Sequence, residues 1–162
     1  MITSNFEKVL EDFIALPCWV SIAGESSGSM VSLFFGPMIA RDKALENLKL
    51  PEAYRFNRSD HSIFIQLSSW MLEQGDKEIC SCDSDNSNTG EMVMGLSKLL
   101  GLHVHHIEYI AQQGLYIDFQ GDFTLSIFFD AKETHGKDSN NVTIFYPEVN
   151  YTINADMKLE FE

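Results

Sequence analysis

The sequence predicts an α+β fold of antiparallel meander sheets with helices packed on one face. Three observations lead there. Two short stretches carry apolar residues at helical spacing, and most of the remaining chain alternates as half-buried strands do. The two halves, 1–87 and 88–162, can also be laid over one another as a helix followed by a meander.

Taken in order, Ser4-Asn5-Phe6-Glu7 has the form of a capping box, and Phe6, Val9, Leu10, Phe13 and Ile14 then share one helix face. A helix is expected over Asn5 to Ala15. Pro17 closes it, because proline disfavours a helical residue before it. Trp19, Val20 and Ile22, then Met30 to Phe35, predict a hairpin turning through Gly24–Ser29. Within Pro37–Asp60, Asp42–Lys49 is expected as a short exposed helix. In the second half, Asn88-Thr89-Gly90-Glu91 reads as an N-cap with Glu three residues on, followed by Met92, Leu96, Leu99 and Leu100 and a stop at Gly101. Strands follow over His103–Ile110 and Leu115–Phe119 around a turn at Ala111–Gly114, and Phe123–Asp130 alternates strongly. Ala131–Asn141 has turn composition without an apolar anchor and is expected to be mobile. The last strand sets Met157, Leu159 and Phe161 against Lys158, Glu160 and Glu162.

The repeat rests on two offsets. At 86, Leu10, Phe13, Ile14 and Leu16 fall on Leu96, Leu99, Leu100 and Leu102, and Gly28 falls on Gly114. Near 81, Ile63-Phe64-Ile65 resembles Ile144-Phe145-Tyr146, and Trp70 falls on Tyr151.

Composition narrows the function. The chain has 162 residues with 24 Asp+Glu against 11 Lys+Arg, a formal net charge of −13. At this length a chain buries about two-thirds of the surface it exposes when unfolded, so a single domain with its own core is expected. The polar N-terminal residues and the lack of a long apolar run point to the cytoplasm. Three cysteines within strand-like runs do not make a disulfide framework. The acid excess argues against nucleic acid or an anionic membrane as partner, and for a basic protein. Between Glu78 and Ala131, eight acids face the single base Lys98. Such an excess fits electrostatic capture of a basic partner, and it also serves simple solubility.

No catalytic signature is present, so no enzyme and no cofactor are expected. His103 and His105 stand at i, i+2 on one strand face and form the candidate metal pair, yet no third ligand is evident; His61 and His135 lie elsewhere. Cys80-Ser81-Cys82 offers two thiols without the other two that structural zinc requires. Asp83-Ser84-Asp85 begins like a calcium loop, but Asn88 stands where an EF-hand needs Gly, and Met94 where it needs Glu. A solvated turn that caps the second helix accounts for that segment equally simply.

A small acidic α+β chain with helix-plus-meander halves, and with Cys18-Trp19-Val20-Ser21 and Ser69-Trp70-Met71-Leu72 on strands, resembles a bacterial toxin immunity protein of the contact-dependent growth inhibition type. The resemblance covers layout and charge rather than any motif. It implies that the partner is the C-terminal toxin domain of a cognate effector, a basic nuclease, whose active site the protein occludes. The acids selected for that contact are Asp83, Asp85 and Glu91 around one turn, and Asp118 and Asp122 about a strand end. Two readings compete: a small-molecule or metal-binding domain using His103, His105 or His106, and a structural adaptor that pairs through strand edges.

Overall fold

The computed structural model describes residues 2–130 and 139–162. It is an α+β protein built mostly of antiparallel sheet. Helix α1 (Ile2–Glu11) leads into the hairpin β1 (Cys18–Gly24) and β2 (Gly28–Phe35). An insertion then carries β3 (Ile39–Ala40), α2 (Glu52–Phe56) and β4 (Asn57–Arg58), and β5 (His61–Ile65), β6 (Ser69–Gln74) and β7 (Lys77–Ser81) complete the first half. The second half runs α3 (Glu91–Leu96), β8 (Val104–Ile110), β9 (Gly114–Phe119), β10 (Phe123–Phe128), β11 (Asn140–Tyr146), β12 (Val149–Asn154) and β13 (Leu159–Phe161).

Two sheets form the body, one of six strands in the order β1-β2-β5-β11-β12-β13 and one of five in the order β7-β6-β10-β9-β8. Neither sheet belongs to one half of the chain. Between β5 and β6 the chain passes from the six-stranded sheet to the five-stranded one, and between β10 and β11 it passes back. Alternation along each strand sends one face inward. Val31, Leu33 and Phe35 from β2, Ile63 and Ile65 from β5, and Val142 and Ile144 from β11 share one core with Trp70, Leu72, Leu115, Ile117, Leu125 and Ile127 of the other sheet. Phe35 and Phe119 stack across the sheets with ring centroids 6.3 Å apart. The indole N–H of Trp70 on β6 donates to the carbonyl of Ser29 on β2 at 2.9 Å, which ties the sheets by a direct bond.

The helices close the seams between sheet edges rather than lying together on one face. Helix α3 contacts β7 of one sheet and β1 of the other. Helix α1 contacts β8, and its Phe6 packs against Tyr109 of β8 and Tyr151 of β12, at 5.2 Å in each case. At α3, Gly95 is required: a Cβ there would meet the Cys80 Sγ at 2.6 Å, so helix and strand touch backbone to side chain.

Several local expectations change. Helix α1 begins ahead of Ser4 and ends at Glu11, because the N–H groups of Phe13, Ile14 and Leu16 bond three residues back and tighten the chain into a turn. Phe13 nevertheless stays fully buried. Asp42–Lys49 is irregular, and the short helix of the insertion lies later, at Glu52–Phe56. Gly90 takes the N-cap position of α3 without a side-chain bond, so Asn88 does not cap it. Leu100 is exposed, since the helix has already given way to a tight turn at Ser97–Leu99. The polar segment predicted over 131–141 lies mainly outside the described residues, but its last member, Asn141, is wholly buried. Its Oδ1 accepts from Ser68 and from the Asp130 N–H, and its Nδ2 donates to Asn154 and Asp130. A buried amide is tolerated because every polar atom is satisfied.

Just ahead of the edge strands β1 and β8, Pro17 and His103 form an antiparallel bridge flanked by reciprocal bonds. Ala15 N–H donates to the Val104 carbonyl and Gly101 N–H to the Cys18 carbonyl, both at 2.7 Å. Cys18 N–H donates to Leu102 at 2.9 Å, and Val104 N–H to Leu16 at 3.0 Å. Each bond becomes its counterpart under the offset of 86. The strands obey the same shift: β1 and β8 match end for end, β2 and β9 start together, and both hairpins carry an irregularity between the first and third residues of their leading strand. Strands β5 and β11, aligned by the second offset, are instead paired neighbours in one sheet.

Candidate functional site

The candidate surface is the outer face of the five-stranded sheet. Register decides which side chains meet there, because residues directly opposite on antiparallel strands point to the same face. Glu78 pairs with Glu73, Glu73 with Thr124, Thr124 with Asp118, and Asp118 with His106. The inward partners of this row are Leu72, Leu125 and Ile117, all fully buried, so its acids face solvent. Thr124 donates its hydroxyl to the Asp118 carboxylate at 2.7 Å, which orients that carboxylate along the sheet.

Two turns extend the row at its end. The Gly75 N–H donates to the Asp122 carbonyl at 3.0 Å, and the Gln74 amide donates to the Gly121 carbonyl at 3.2 Å. These bonds dock the turn carrying Asp76 against the turn carrying Asp122. Glu73, Asp76, Glu78, Asp118 and Asp122 therefore gather at one end of the sheet, with Lys77 as the cation of that hairpin. Glu108, one row further along opposite Tyr116, continues the acidic face.

Of the acids selected from the sequence, Asp118 and Asp122 belong to this cluster. Asp83, Asp85 and Glu91 do not. They follow the far end of β7, where the Cys82 N–H bonds to the Trp70 carbonyl, about 10 Å along the strand direction from Glu73. There the Asp85 carboxylate accepts from the Ser87 N–H and hydroxyl, both at 3.0 Å, and these bonds lower its pKa. The turn is further tied to the first hairpin by the Asn86 side chain, which donates to Gly28. The acids that sequence missed, Glu73 and Asp76, sit outside the acidic stretch that begins at Glu78. Alternation along β6 exposes Glu73, but only strand pairing sets it beside Glu78 and Asp118.

Among the described residues two ion pairs form, Lys43 with Glu46 and Arg58 with Asp60, both in or beside the insertion. Neither involves the acidic row. Glu73 and Glu78 thus stand opposite one another, with Cβ atoms about 5 Å apart by sheet geometry, and their like charges oppose the strand pairing.

The histidines are dispersed in role. His103 precedes β8 and its Nδ1 lies 2.7 Å from the Ala15 carbonyl. The irregularity between Val104 and His106 interrupts the alternation that would have set His103 and His105 on one face. His135 lies outside the described residues. Cys80 is buried against Gly95, whereas Cys82 is half-exposed beyond the strand. Among the described residues no group of three or more His, Cys, Asp or Glu is placed to hold a metal ion, and no helix is long and apolar enough to cross a membrane. Comparison with family models, curated proteins and solved structures found no match for this chain.

Proposed function

We propose that this protein is a non-catalytic immunity protein that binds the basic toxin domain of a cognate effector through the outer face of its five-stranded sheet. The supporting observation is the row Glu78, Glu73, Thr124, Asp118, with no ion pair to any of its acids among the described residues and with two of them in direct opposition. A cross-strand pair of like charges weakens the sheet that bears it, and a basic partner would relieve that repulsion on binding. The carboxylates would occupy positions that a nuclease cleft offers to phosphates, and their field would speed encounter. Contact then centres on Glu73, Glu78, Asp118 and Asp122, with Asp83, Asp85 and Glu91 as a secondary, more distant group.

We also infer that the two halves descend from one duplicated unit. The bonds from Ala15 to Val104 and from Gly101 to Cys18, and the matching bounds of β1 and β8, support this, since the local two-fold of an antiparallel bridge does not by itself supply them.

The experiment is a titration against the C-terminal domain encoded beside this gene, at low and high salt, with that domain's nuclease activity followed in parallel. Salt-sensitive binding that extinguishes activity, and that Glu73→Lys with Asp118→Lys abolishes, supports the proposal. Binding unchanged in that double variant removes the acidic face, and absence of binding at both salts removes the immunity role.

A further inference from the structure

The opposite side of the molecule carries a cavity that the proposed toxin contact does not use. On the outer face of the six-stranded sheet, a cavity of about 350 Å³ lies between strands β2, β5 and β11 and the insertion. Its volume falls at the lower end of the range for small-molecule sites. Phe34, Phe64 and Phe145 supply aromatic walls from the sheet, and Tyr54 of α2 supplies one from the insertion, its ring centroid 4.7 Å from that of Phe34.

The insertion has no buried residues of its own, yet it is held in place. Arg41 donates through Nε to the carbonyls of Tyr54 and Asn57, at 3.0 and 2.9 Å, and its guanidinium lies 4.8 Å from the centre of the Tyr54 ring. Arg55 donates to the Leu45 carbonyl at 3.1 Å. The Tyr54 wall is therefore fixed before anything binds, and ordering it costs a ligand nothing. The equivalent connection in the second half, Gln120–Asp122, is a single tight turn with no such cover.

The decisive group is Ser62. It is only 7% exposed, lines the cavity between Phe34 and Phe145 across the strands, and its hydroxyl, bonded to no described residue, keeps access to water. Ser32, also on the lining, is likewise bonded through its hydroxyl to no described residue, whereas Ser59 is fully engaged with Phe35 and His61. A hydroxyl on the wall of an open cavity bonds to water when the cavity is empty, so a ligand that enters has to replace that bond with one of its own. No lining residue is an acid or a base of the Asp, Glu, Lys or Arg type, so a charged ligand would lose its hydration without compensation.

We propose that this cavity binds a small, uncharged, planar aromatic molecule that carries one hydrogen-bonding group, stacked among Phe34, Phe64, Phe145 and Tyr54 and bonded to Ser62. The probe is indole, which has the shape, the neutrality and a single N–H donor. Calorimetric titration of the full chain should show one saturable site at millimolar indole or below. Ser62→Leu places a branched side chain into the cavity between two phenylalanines and should weaken indole by at least about tenfold while the melting temperature holds. Ser62→Ala keeps the space and loses the hydroxyl, and should weaken it by a few-fold. Thr152→Val, on the same sheet but outside the cavity, should leave binding unchanged. No saturable binding at millimolar indole overturns the proposal, as does equal binding by the parent and a folded Ser62→Leu variant. A concentration-dependent dimer that Ser62→Leu dissociates would assign the surface to a second copy and overturn it too.

Discussion

Ala15 and Gly101 hold the same place on either side of the bridge between Pro17 and His103, each with positive φ, 70° and 86°, and each donating its N–H to a carbonyl of the other segment. The left-handed conformation suits Gly101 and strains Ala15, whose Cβ crowds the following carbonyl. Ala15→Gly is therefore expected to stabilise the fold by about 0.5 kcal/mol, the relief of strain exceeding the added chain entropy of glycine. Gly101→Ala should lose about 1 kcal/mol, and the loss is purely conformational because nothing lies within 4 Å of the new Cβ. Denaturant melts of the two variants check both signs, and equal shifts in the same direction would refute the reading.

Relief of the Glu73–Glu78 opposition gives a test that needs no partner. Glu73→Gln removes one of two facing charges and should raise stability by about 0.2–1 kcal/mol at low salt. The gain should shrink as salt is added, since both groups are solvent-facing. A variant less stable than the parent at low salt would show that Glu73 makes a favourable contact instead.

Burial pushes the Cys18 thiol up to about 12 and the Cys80 thiol to about 11. The thiolate is the reacting species, so both should be inert near neutral pH, whereas Cys82 is half-exposed. Native protein should take up one equivalent of iodoacetamide, at Cys82, and unfolded protein three. Rapid native labelling of Cys80 would mean that the contact between α3 and β7 opens readily.

His61 sits edge-on to Phe13 and Tyr146, at 5.3 and 5.2 Å. Burial holds its pKa below the usual 6.5, and the Asp60 and Asp12 carboxylates oppose this without overcoming it. A histidine with a depressed native pKa binds its proton more readily when unfolded, so stability is complete above 6.5 and declines as pH falls through that value toward the native pKa. The melting temperature should drop between about pH 7.5 and 5.5, and His61→Gln should flatten the decline. An identical profile in the variant would assign the dependence to other groups.

Elements whose signal is local were legible in the sequence. The hairpin from Cys18 to Phe35 is there in its alternation and its Gly24–Ser29 turn, whereas the offset of 86 aligned the segments around Pro17 and His103 without foretelling that they pair. What sequence did not supply is what depends on partners. Nothing near Asn141 marks it as buried, because its four bonds come from three other segments. The acidic end of the sheet escaped for the same reason: Glu73 and Asp118 are 45 residues apart and become neighbours only through the pairing of β6 with β10 and β10 with β9. Likewise the cavity at Ser62 needs Tyr54, which the alternation of β5 could not foretell.

The exchange of strands between sheets has a consequence for how the protein is made. Ile65 of β5 pairs with Val142 of β11, so the middle of the six-stranded sheet waits for chain that is synthesised 77 residues later. At ordinary ribosomal speeds that is a delay of about 4 to 15 s, during which β5 offers an unsatisfied, apolar edge. Neither half can finish alone, and a nascent chain arrested near residue 87 would be a substrate for chaperones rather than a folded half.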